Sequence, residues 1–157
     1  KEIALTGPAE NSEAALKSVK DGTLIGAVRL AKDRRDFRDD KTKAGLYTLR
    51  FATQPQDGNH MGTAPVPAFV LLVPADADKD LAGPKTRDDL IAAAKAGGKH
   101  PRNLNLRAAE TTDGEFPDLT EGFDDTKILF VKLAGKPEGA GEMPLAWGIV
   151  YEGHGAI

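Results

Sequence analysis

Histidine and methionine are the side chains of this sequence that most directly suggest a specific chemistry. His60 and Met61 are adjacent in GNHMG, and His154 lies in EGHGAI. His100 precedes Pro101, and the second methionine is Met143. Neutral imidazole is the commonest metal ligand near physiological pH, and a thioether sulfur favours Cu(I). Asp57 and Glu152 stand near His60 and His154 in sequence and could add carboxylate oxygens. If loops gather at one end of the fold, His60, Met61 and His154 form a small site for copper or another transition metal. The spacing does not demand it, because no HxH, HxxxH or HExxH pair occurs. The plainer reading binds no cofactor: His60 hydrogen-bonds backbone groups and pins the long Pro- and Gly-rich loop QPQDGNHMGTAPVPAF.

A second candidate is PADADKD, where Asp76, Asp78 and Asp80 alternate as at the start of a calcium loop. The comparison then fails. The glycine required at the sixth position is Leu81, and the glutamate required at the twelfth is Arg87. The expectation is an acidic turn leading into a helix. No nucleophile elbow, P-loop or dinucleotide fingerprint occurs. Carboxylates are plentiful, but nothing singles out two of them as a hydrolytic pair. With no cysteine in the chain, thiolate zinc sites, iron–sulfur clusters, cysteine nucleophiles and blue-copper sites are excluded.

The 157 residues fit one domain with a core large enough to need no staples. Net charge is −3 and both signs are interspersed, which argues against a nucleic-acid partner. KDRRDFRDD, residues 32–40, nearly cancels its own charge and reads as a solvated loop or hairpin end. No apolar run approaches the roughly 18 residues of a membrane span, so no transmembrane segment is expected. The chain opens at Lys1 rather than a methionine, as it would after removal of an upstream segment by processing, or where the sequence starts inside a longer chain.

Six segments carry strand patterning. They are TLIGAVRLAK (23–32), GLYTLRFATQ (45–54), AFVLLVPA (68–75), RNLNLRA (102–108), TKILFVKLA (126–134) and PLAWGIVYEG (144–153). The second alternates well, with Tyr47, Leu49 and Phe51 on one face and Thr48 and Arg50 on the other. The third is continuously apolar, as for a strand covered on both faces. Asp21-Gly22, Asp57-Gly58 and Asp113-Gly114 are turn dipeptides. One helix is expected over residues 87–96, with Thr86 as N-cap, Asp89 completing a capping box, and Leu90, Ile91 and Ala94 facing inward. Residues 11–20 read as a short helix or an N-terminal strand, and residues 1–20 as a peripheral segment of a single domain, 1–157. The expected core is Leu49, Phe51, Val70, Leu72, Leu129, Val131, Trp147 and Ile149. Strands without regular intervening helices imply a mainly β fold: an antiparallel β-sandwich with one inserted short helix, or a small β-barrel.

The stretch AGLYTLRFATQPQDGNHMGTAPVPAFVLLVPADAD, together with TLIGAVRL and PLAWGIVYEG, resembles a group of exported β-rich bacterial proteins of acidobacterial and planctomycete type. The resemblance is most specific from Ala44 to Asp78. It implies a periplasmic or secreted compartment and carries no mechanism and no functional residues. The expectation is a non-catalytic binding or accessory domain with a protein partner, of the kind that docks as a subunit on a larger envelope or membrane complex. A small periplasmic copper-type protein is the alternative, and a hydrolase the third.

Overall fold

A computed structural model describes residues 2–35, 41–54, 67–122 and 126–152. The fold is mainly β. Among the described residues, ten strands and two helices follow in the order β1 (Glu2–Leu5), α1 (Ser12–Leu16), β2 (Leu24–Leu30), β3 (Arg34–Arg35), β4 (Lys41–Thr42), β5 (Gly45–Thr53), β6 (Ala68–Pro74), α2 (Arg87–Lys95), β7 (Arg102–Ala108), β8 (Asp118–Glu121), β9 (Lys127–Pro137) and β10 (Met143–Glu152). All six strands expected from sequence are present, and β7 has the bounds read from its alternation. The short strands β1, β3, β4 and β8 are additional. The charged stretch 32–40 contributes β3, which pairs antiparallel with β4 in a two-stranded sheet.

The chain divides into two compact units. The first comprises Lys1–Lys20, Thr53–Ala68 and Asn105–Ile157. Its centre is β9. One edge of β9 carries β10, antiparallel, with Trp147 opposite Val131 and Ile149 opposite Leu129. The other edge is shared. β8 runs antiparallel along its first half, and β1 runs parallel along its last residues. Helix α1 starts at the N-cap Asn11, whose Oδ1 accepts from Ala14 N at 2.8 Å. It is anchored to β10 by the buried Ser12. The Ser12 hydroxyl accepts from Ala146 N at 3.0 Å, and its carbonyl accepts from Trp147 Nε1 at 2.9 Å. An indole buried without a partner for its N–H would be unfavourable, so these bonds fix where α1 lies. Ile3, Leu5, Ala15, Leu16 and Val19 are buried, so residues 2–19 contribute core side chains to this unit.

The expectation for β9 needs correction. Leu129 and Val131 face the same side as Ile149 and Trp147, but they are only half-buried, and the buried residue of this run is Ile128. The run ILFV is apolar on both faces, so its pattern alone selects no inner side. Ile128 and Phe130 lie over Gly148, where a Cβ would stand 2.6 Å from either side chain.

The second unit comprises Asp21–Ala52 and Phe69–Leu104. β2 pairs antiparallel with β5, and the strand order continues from β5 to β6. Tyr47, Leu49 and Phe51 are buried, as their alternation requires. β6 is buried on both faces from Val70 to Val73. One of those faces meets α2: Leu90 and Ala94 form a cluster with Ala52, Leu71 and Val73, flanked by Phe69, Ile91 and Ala93. Thr86 caps α2 through a full capping box. Its Oγ1 accepts from Asp89 N at 3.1 Å, and its own N donates to Asp89 Oδ2 at 3.2 Å.

Candidate functional site

The face of β5 opposite its apolar side is where the structure departs most from the sequence pattern. Strand alternation places Leu46, Thr48, Arg50 and Ala52 on that face. Ala52 goes under α2. Thr48 and Arg50 are covered by the segment that follows β6. Ala75 N donates to Leu46 O at 3.0 Å as this segment leaves the strand, and Ala77 N bonds back to Pro74 O at 2.9 Å. Asp78 then reaches Arg50.

Arg50 is 1% exposed. Its guanidinium has five N–H donors in a rigid plane, and the structure supplies five acceptor atoms. Nε donates to Asp78 Oδ2 and Nη2 to Asp78 Oδ1, both at 2.8 Å. Nη2 also donates to Asp80 O at 2.6 Å, and Nη1 to Gly22 O at 3.0 Å and Leu81 O at 3.3 Å. Thr48 Oγ1 bonds Asp78 Oδ2 as well. Burial pushes the Asp78 carboxyl pKa up, but the hydrogen bonds from Arg50 and Thr48 and the arginine charge outweigh it and hold the pKa below its ordinary value.

The result is a turn pinned through its own backbone. Asp80 O accepts from both Arg50 and Gly83 N, the latter at 3.0 Å, and Asp80 Oδ1 accepts from Ala82 N at 2.9 Å. Gly83 closes the turn with φ +83°, and a Cβ there would stand 2.7 Å from Arg50 Nη1 and 3.0 Å from Gly22 O. Only glycine suits both the torsion and the close approach. Gly22, at φ 88° in the Asp21-Gly22 turn, presents the carbonyl from the other side. Asp21 itself is ion-paired with Arg87 of α2.

Chemically, this arginine is not a substrate-binding group, because every donor is already used inside the protein. Asp78 is likewise consumed: both its oxygens lie on Arg50. The alternating aspartates therefore make the acidic turn that the failed calcium comparison left. What the clamp does is display Leu81. Its carbonyl is held by a buried charge while its side chain is 75% exposed, the largest exposure among the big apolar residues of the described chain. Lys79, Asp80 and Ala82 around it are exposed too.

The sequence-derived metal candidates His60, Met61 and His154 lie outside the described residues, as does the Asp57-Gly58 turn. His100 is exposed just before β7, and Met143, at the start of β10, is half-buried. Among the described residues no group of three or more His, Cys, Asp or Glu could hold a metal ion, and no helix is long and apolar enough to cross a membrane. Arg50 and Leu81 were not singled out by sequence. The available signals were an arginine flanked by Leu49 and Phe51 in a core strand, and an acidic run without a metal to serve. No family model, curated protein or solved structure matches this chain.

Proposed function

We propose that this chain is a non-catalytic binding domain, periplasmic or secreted, that docks a protein partner through the turn at Leu81. The observation that carries this is the pairing of a 75% exposed leucine with a backbone fixed by a 1% exposed arginine. A lone exposed leucine is ordinary on any surface. A leucine on a backbone already ordered by a buried charge is different. It meets a partner without a further loss of loop entropy, which is how anchor residues gain affinity. Burying that side chain in a complementary pocket is worth about 1.5–3 kcal/mol. The compartment rests on the resemblance of residues 44–78 to exported bacterial proteins. The accessory role follows from the same pair of readings: a domain that presents a rigid contact and is carried outside the cytoplasm suits docking on an envelope assembly.

The test is purification from the native source at matched expression, comparing the natural chain with Leu81→Asp. The natural chain should elute in a larger complex, and Leu81→Asp should elute alone with an unchanged unfolding midpoint. A complex that survives Leu81→Asp at full yield removes the proposal.

A further inference from the structure

We infer a second docking surface, in the other unit: the open edge of β8 accepts an extended basic segment of a partner protein by strand addition. The inference rests on reading the chain as a binding domain, but not on Leu81. All four residues of β8 are exposed, and its pairing among the described residues is with β9 alone. Its outer row of N–H and C=O groups is therefore a template for one more strand.

The side chains choose the occupant. β8 sits in a stretch without a single Lys, Arg or His between Arg107 and Lys127, which holds seven carboxylates. Five of them, Glu110, Asp113, Glu115, Asp118 and Glu121, are exposed in the described residues and have no cationic partner there. A second copy of β8 is a poor occupant. Antiparallel self-pairing about the strand centre sets Asp118 against Glu121 twice, and like charges directly opposite are destabilising. A basic strand meets both carboxylates instead. Leu119 adds an apolar requirement. It is 65% exposed and lies opposite Leu129, which lies opposite Ile149, which lies opposite Leu106. That row runs from a buried leucine to an exposed one, and an apolar residue beside Leu119 continues it. An antiparallel occupant thus reads basic, any, apolar, basic from its N-terminus, facing Glu121, Thr120, Leu119 and Asp118 in turn.

The experiment uses a fluorescent peptide containing Lys-Thr-Val-Lys and the intact chain. Two N-methylated forms, modified at alternate residues in the two possible frames, remove the main-chain donors from one side or the other. The unmodified peptide should bind the natural chain and Leu81→Asp equally, and more weakly as salt rises. One N-methylated frame should bind at least about tenfold more weakly and the other should bind normally. Asp118→Lys/Glu121→Lys should also lose about tenfold or more. No binding by the natural chain overturns the inference, while leaving the Leu81 reading untouched. Equal binding by both N-methylated frames overturns it too, since charge attraction alone then accounts for the affinity. The N-methyl comparison needs no variant, so it holds even if the charge reversal unfolds β8.

Discussion

Asp78 meets Arg50 along two parallel bonds, Oδ2 to Nε and Oδ1 to Nη2, each 2.8 Å, with side-chain exposures of 7% and 1%. Charge-assisted pairs of this fork geometry are among the stronger hydrogen bonds in proteins. Breaking one by removing a partner strands a buried charge, at about 3–5 kcal/mol. Asp78→Ala should therefore destabilise the protein by that amount. Arg50→Lys should cost about as much as the lower figure, because an ammonium with three donors cannot serve five acceptors around a plane. Urea unfolding of both variants measures this. A loss below about 1 kcal/mol in Asp78→Ala would contradict the clamp.

The same pair sets an acid dependence. The folded pKa of Asp78 is held below its ordinary value. Its contribution to stability is then complete above the unfolded aspartate value of about 3.9, and it is lost as pH falls from there through the folded value. Asp33 is also held low, by Lys41 and the Ala44 amide, but it is common to both proteins in a comparison with Asp78→Asn. Below about pH 4 the natural chain should lose stability more steeply than Asp78→Asn. Parallel stability curves below that pH would count against a carboxylate held ionised by Arg50.

Gly83→Ala should destabilise by about 2 kcal/mol or more. A left-handed torsion costs an L-residue about 1–2 kcal/mol, and the new methyl group would stand 3.0 Å from the backbone oxygen of Gly22. Gly98→Ala is the control, because nothing lies within 4 Å of its added Cβ. Thermal melts of the two should separate clearly. Equal midpoints would mean the turn relaxes away from Arg50 without cost.

Ser12→Ala leaves the buried Ala146 N–H without its acceptor, at about 1–3 kcal/mol. Trp147 keeps its own bond, since its acceptor is the Ser12 main-chain carbonyl. The near-ultraviolet dichroism of the indole should persist while the unfolding midpoint drops. Loss of the indole signal in the folded variant would show that the hydroxyl, and not the carbonyl, positions α1.

β5 and β7 were legible because their side chains alternate at period two, β6 because it is a short continuous apolar run, and α2 because Thr86 and Asp89 stand at capping distance. Leu129 and Val131 misled because Ile128 and Phe130 make the same strand apolar on its other face. β1 and β8 have four residues each, too few for periodicity, and DLTE carries no inner side at all. Arg50 was the consequential miss. Alternation correctly placed it opposite Tyr47 and Leu49, but a polar face is covered only when another segment crosses it. Nothing local to GLYTLRFATQ announces that Asp78, 28 positions later, closes over it. Leu81 followed from that miss, since its significance lies in the clamp behind it and not in its type.

Site-specific photo-crosslinking in the native cells reads docking at Leu81 without purification. A photoreactive leucine analogue, which keeps the apolar branched side chain, replaces Leu81 in one experiment and the exposed Glu138 in another. Docking through Leu81 gives one discrete heavier adduct from position 81 and none from position 138. Absence of any adduct at position 81, or the same adducts from both positions, would contradict it.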